Sequence, residues 1–196
     1  MFFRQDFPEG LIEVNHRPEH DVFYAQVAWR PGSRWELESG LRFNRFSSDE
    51  TFHDIAPRLA LKHRLTETIN LRAATGVYYQ YLHRIPRFIA TDIWIASNKD
   101  LDPSRAIHAI VGYQQELKNS FQLEVEAYWK GYEEIYEFNQ TFLTELQETS
   151  HDEEGNPVFT NAKGLFNKGD GQSVGLEMML RKDSGALTGW AAYSIA

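Results

Sequence analysis

Apolar side chains recur at every second position through most of the chain. Val174, Leu176, Met178 and Leu180 alternate with Ser173, Gly175, Glu177 and Arg181, with Met179 the one exception. A period of two marks a strand with one apolar and one polar face, whereas a helix repeats every 3.6 residues. The same alternation sets Phe23, Ala25, Val27 and Trp29 against Tyr24, Gln26, Ala28 and Arg30. It then sets Trp35, Leu37, Leu41 and Phe43 against Glu36, Glu38, Arg42 and Asn44. Further runs are expected at about Ile55 to Leu65, Ile69 to Tyr81, Ala106 to Leu117 and Phe121 to Lys130. In the last of these, Phe121, Val125, Tyr128, Trp129 and Tyr132 also fit a helical stripe; the neighbouring alternation and the β-favouring composition decide for a strand. With a final run starting at Leu187, the pattern predicts about eight strands.

The connections alternate in length. Pro31-Gly32-Ser33, Thr66-Glu67-Thr68, Lys118-Asn119-Ser120 and Asp183 to Ala186 are short, and rich in residues that turn the backbone. Between them lie Ser47 to His53, then His83 to Pro103, with a short strand expected at Thr91 to Ile95, and then Glu133 to Asp170. Residues 1–20, broken by Pro8, Gly10 and Pro18, read as loop. All short turns therefore fall at one end of the sheet and the long loops at the other. Outer-membrane barrels sort their connections in this way.

Composition narrows the class. Aromatic residues make up 14% of the 196 positions, suiting strands and the interfacial girdles of membrane barrels. The formal charge of -8 argues against nucleic acid as a partner. Without any Cys, disulfides, thiolate metal sites and cysteine nucleophiles are excluded. No run approaches the ~20 apolar residues of a membrane-crossing helix. The first residues, with Arg4 already charged, lack the apolar core of a signal peptide. Strands that alternate average to near-neutral hydropathy, so a membrane barrel remains open. Parity alone does not say which face points inward.

Several short segments, in order and spacing, resemble the carboxy-terminal half of the barrel of a TonB-dependent outer-membrane receptor. They are Ala56-Pro57-Arg58-Leu59-Ala60-Leu61 with Arg64-Leu65; Leu71-Arg72-Ala73-Ala74 leading to Gly76-Val77-Tyr78-Tyr79-Gln80; and Pro103-Ser104-Arg105-Ala106 with His108 and Gly112-Tyr113. Glu124-Val125-Glu126-Ala127-Tyr128-Trp129-Lys130 with Tyr132, Gly169 to Glu177, Gly189-Trp190 and Tyr193-Ser194 continue the likeness, which spans Asp21 to Ala196. The resemblance implies an all-β, antiparallel up-and-down transmembrane barrel segment, about eight strands of a larger barrel. In that family a barrel of 22 strands is plugged by an amino-terminal domain. No plug segment stands in residues 1–196, so a piece of a longer protein is expected. The resemblance further implies a place in the outer membrane of a Gram-negative bacterium, in contact with its lipid. It also implies uptake of a scarce nutrient (siderophore, metal complex, vitamin or oligosaccharide) and coupling through the plug to a periplasmic TonB-type protein. A complete small eight-stranded membrane barrel and a soluble lipocalin-like carrier are the competing readings.

Selection in such a barrel needs polar lumen residues and long loops, with no catalytic residue, cofactor or metal. Arg58, Arg72, Glu126 and Lys130 on the polar parity, with Arg87-Phe88 and Trp94 in the long loop, are the candidate ligand contacts. Gly171-Gln172-Ser173-Val174-Gly175 matches the G-x-S-x-G nucleophile elbow, but that motif needs a helix after the serine and an alternating strand follows here. Glu124 and Glu126 share a strand face and could do acid–base work; a screened polar wall is the plainer reading. Asp152-Glu153-Glu154 lacks the spacing of a calcium loop, and the seven His residues form no ligand pair. Trp29, Trp35, Trp129 and Trp190 are expected near strand ends, as bilayer-interface anchors or as packing.

Overall fold

A computed structural model describes residues 17–85, 93–139 and 166–196. Its strands are β1 (Glu19–Trp29), β2 (Trp35–Ser47), β3 (Thr51–Arg64), β4 (Ile69–Gln80), β5 (Leu82–Ile85), β6 (Ile93–Ala96), β7 (Ser104–Glu116), β8 (Phe121–Phe138), β9 (Phe166–Lys182) and β10 (Gly189–Ile195). Eight form one sheet in the order β1-β2-β3-β4-β7-β8-β9-β10, while β5 and β6 pair as a separate hairpin. Every pairing is antiparallel. Among the described residues β1 and β10 are the two edges, and no pairing between them closes the sheet. No described helix is long and apolar enough to cross a membrane.

The short turns form where turn chemistry is found. Gly32 takes a φ of 82° between β1 and β2, a left-handed conformation that a residue without Cβ adopts freely. Between β7 and β8 the same region is occupied by Asn119 (φ 59°), the side chain that tolerates it best after glycine. The helical alternative for residues 121–132 is settled in favour of strand.

Strands at the far end reach beyond the expected limits. β1 begins at Glu19, inside the stretch read as loop, and only Ser48-Asp49-Glu50 separate β2 from β3. The connection expected from His83 to Pro103 holds the β5–β6 hairpin in place of one short strand. Residues 133–138 and 166–170, read as loop, belong to β8 and β9. The cause is a β-bulge. Tyr132 pairs with Gly171 but Ile135 with Gly169, and Glu134 inside it has a φ of 56°. One extra residue on β8 breaks the alternation, so a period-2 reading loses the strand there. Residues 152–154 lie outside the described residues.

Register decides which side chains share a face. Phe23, Phe43 and Ile55 lie side by side, as do Leu37 with Leu61, Leu61 with Ala73, and Ala73 with Val111. Val111 continues to Ala127 and Leu176, and Val125 to Met178 and Tyr193. This face is uncovered: Val27, Val111 and Val174 are each about 60% exposed or more (66%, 59% and 60%). Polar side chains mark its limits. Asp21 pairs with Arg45 at one border and Arg105 with Glu133 along the same border, while His63, stacked on Trp35, and Lys182 stand at the other. Between these borders the apolar parity carries no Asp, Glu, Lys or Arg.

From Trp35 to Phe43 β2 rises roughly 27 Å, or roughly 21 Å at a tilt of about 40°. With side-chain reach this approaches the ~25 Å apolar band of an outer-membrane barrel. A charge-free band of that height, bordered by ions, is what hydrocarbon demands.

Among the described residues, the buried apolar clusters lie at the long-connection end. Phe46, Tyr81 and Ala96 form one buried cluster, flanked by Phe52 and Tyr79. Ile95, Leu101 and Phe166 form another, flanked by Tyr136 and Phe138. The β5–β6 hairpin supplies Ala96 and Ile95 to the two clusters and so ties them together.

Candidate functional site on the polar face

The opposite face is polar, and its residues are ordered in rows by the same register. One row runs Gly40, Arg58, Gly76, His108, Lys130 and Ser173 across β2, β3, β4, β7, β8 and β9. Its cations lie against aromatic rings. The Arg58 guanidinium sits 4.9 Å from the Tyr78 ring centre and the Lys130 ammonium 4.5 Å from that of Tyr128. Tyr78 continues to His108 at 4.6 Å between centroids, and His108 meets Tyr132 edge-on at 6.3 Å. No carboxylate among the described residues is paired with Arg58 or Lys130. A cation held on a π-face keeps its outward side open to an anion.

Glycine lets the rings lie flat on the sheet. A Cβ on Gly175 would come 2.4 Å from the Tyr128 ring and hydroxyl, and one on Gly76 3.2 Å from both Arg58 Cγ and Tyr78 Oη. Gly175→Val is therefore expected to lift Tyr128 off the wall and cost about 1–3 kcal/mol. Denaturant titration beside Gly169→Val, where a Cβ meets nothing within 4 Å, separates this clash from general β-sheet effects.

Nearer the short turns, a second row runs Glu36, Lys62, Arg72, Gly112, Glu126 and Glu177. Arg72 donates to the Gln114 Oε1, and Gln114 Nε2 donates in turn to Glu124 at 3.1 Å. Arg30 and Glu36 form an ion pair. Two neighbouring grooves open here, of about 430 and 370 Å³, and Arg72 and Glu126 line both. Mixed charge with internal pairing makes this a wet wall that largely satisfies itself.

The sequence candidates thus fall into three places. Arg58 and Lys130 share the cation row; Arg72 and Glu126 share the mixed row; Trp94 stands half-exposed on the β5–β6 hairpin, opposite Arg84. Arg87 and Phe88 lie outside the described residues. Sequence reasoning missed Tyr78, His108, Tyr128 and Tyr132 as members, although all sit on the polar parity. Aromatics on a polar face next to glycine were the available signal. Ser173 is a mid-strand residue opposite Lys130, with strand on both sides, and no helix follows it to form an elbow. One Trp expectation needs correction. Trp129 sits mid-strand in β8, its ring over Gly131, whereas Trp190 stands at the start of β10, paired with Arg181 on the polar parity. Trp29 and Trp35 do stand at strand ends, next to the short turn.

A model of the β-barrel of TonB dependent receptor-like proteins matches residues 6–195. The chain belongs to that family. Solved barrels share its fold. The siderophore receptor PirA from Pseudomonas aeruginosa superposes with a TM-score of 0.64 at 15% identity, covering 91% of this chain and 34% of that one. The ferric-catecholate import receptor Fiu from K12 E. coli gives 0.55 at 13%, covering 91% and 28%. A chain of the FpvAI-pyocin S2 complex gives 0.58 at 11%, covering 92% and 23%. No curated protein matches the sequence. The chain thus spans about a third or less of these receptors. As part of a TonB-dependent receptor barrel, its charge-free face is the one suited to lipid and its polar face the one suited to the lumen.

Proposed function

We propose that this chain forms part of the wall of an outer-membrane receptor that takes up a small anionic nutrient. Energy comes from a periplasmic TonB-type partner, acting through a plug domain supplied by the rest of the protein. The observation that carries the reading is the row Arg58, His108 and Lys130, in which the arginine and the lysine are seated on tyrosines and left without carboxylates among the described residues. A lumen wall built for neutral sugars would need no such row. An anionic metal chelate with aromatic rings suits it on both counts; Fiu is a ferric-catecholate import receptor, and PirA a siderophore receptor. Selection is by differential affinity, with no bond made or broken in the ligand.

The long-connection end, which carries the β5–β6 hairpin, is read as the outer side, where a ligand arrives first. In cells producing the full-length protein as their sole receptor for a ferric catecholate, uptake of labelled iron is expected to stop when the TonB-type partner is deleted. Uptake that continues unchanged would sink the proposal.

A further inference from the structure

His83 is only 4% exposed, a buried titratable group outside the polar row. Its Nε2 lies 3.0 Å from Ser97 Oγ, and its ring packs edge-on against Tyr136 of β8 at 4.7 Å and Phe166 of β9 at 6.4 Å. Ser97 is fully buried and holds the other side of the rim. Its N–H donates to the Tyr81 carbonyl at 2.8 Å, and its own carbonyl accepts from the Ser48 hydroxyl in the β2–β3 turn. The His83–Ser97 contact therefore joins the β2–β3–β4 side of the rim to the β8–β9 side.

We infer that the β5–β6 hairpin is a strap across this rim that acid releases: protonation of His83 undocks the hairpin from Tyr136 and Phe166. The inference goes beyond the uptake reading and does not depend on it. A neutral imidazole fits the pocket of Ile95, Leu101, Tyr136 and Phe166; an imidazolium there has lost its water and gains only partial compensation. Groups from three elements face it. From the connection before β7 comes the Asp102 backbone, which accepts a hydrogen bond and favours the charged form. From β8 comes the Tyr136 ring, its hydroxyl bonded to Glu134 at 3.1 Å. From β9 come Phe166 and Lys168, whose ammonium is already paired with Glu134 and lies 3.8 Å from Asp102. That ammonium neutralises both carboxylates, so desolvation decides the outcome. Burial accordingly lowers the His83 pKa to about 4.

The sign follows from proton counting. The released state binds a proton near pH 6.5 and the docked state only near 4, so docking is at full strength above 6.5 and is lost as the pH falls toward 4. Hydrogen exchange on the full-length protein in detergent, corrected for intrinsic rates, reads this directly. Between pH 7 and 5, protection of residues 82–85 and 93–98 is expected to drop about tenfold while β3 and β7 hold theirs. His83→Gln, which keeps a polar group but does not titrate, should abolish the pH step. Ser97→Ala, which leaves the imidazole in place, should keep it. A step that persists in His83→Gln, or no step in the unaltered protein, overturns the inference.

Discussion

Replacing Val111 by Arg is expected to cost the barrel about 2–4 kcal/mol in phospholipid vesicles, whereas Ile110→Arg costs less than about 1. The two residues are neighbours on β7 with opposite parity. Val111 lies in the middle of the charge-free face, between Ala73 and Ala127, and is 59% exposed in the isolated sheet. Ile110 lines one of the polar-face grooves beside Glu126 and Lys62. A guanidinium at position 111 must leave water for hydrocarbon near the midplane, where the penalty is largest; at position 110 it meets carboxylates and solvent. Guanidinium unfolding of the full-length protein from vesicles measures the difference. Equal costs for the two variants would mean that the faces do not separate lipid from lumen, and the competing reading of a soluble barrel would regain ground.

The cation row yields the second large effect. Arg58→Gln and Lys130→Gln are each expected to weaken binding of an anionic chelate about tenfold, within the range of a hydrogen bond to a charged group on a wet wall. Two strands separate the residues, so they stand roughly 14 Å apart. At that distance single losses add, and the double variant should bind about a hundredfold less well. Arg30→Gln is the control, because its charge is already paired with Glu36. Calorimetry at two ionic strengths adds a check, since an anion held by these cations binds more weakly as salt rises. An unchanged affinity in the double variant would remove the row from the site and leave the long connections to do the selecting.

Fold class was readable because the sheet is one layer with two unlike faces. Where hydrocarbon demands one composition and water another, parity along each strand carries the whole message. Turns were readable for a local reason, the left-handed backbone at Gly32 and Asn119. What escaped the alternation depended on contacts between distant segments. The β5–β6 hairpin is held by Tyr81, Ser48 and Phe166, none of which announces the others in sequence. Likewise Arg58 and Lys130 could be named singly, but their row exists only through the register of three strand pairings. The tyrosines under those cations lie on the polar parity, but what they do there shows only once Arg58 and Lys130 are set against them.

The bulge at Glu134 has a further meaning for how this rim can change. Below it, even-numbered side chains of β8 face the lumen; above it, Tyr136 and Phe138 pair with Lys168 and Phe166 on the opposite side. The bulge is thus a phase slip that lets one continuous strand serve two environments. Deleting the extra residue would leave Tyr136 opposite Lys168 and on its present side, because the slip goes with the residue that causes it; forcing Glu134 into the ladder with the residue count unchanged would turn Tyr136 to the lumen and strip the hairpin of its packing partner. Lengthening the connection between Phe138 and Phe166 would leave that phase untouched. The rim therefore depends on the pairing of Tyr136 with Lys168, which a change of length at the tip of this hairpin leaves alone and a register slip of one position a few residues below it destroys.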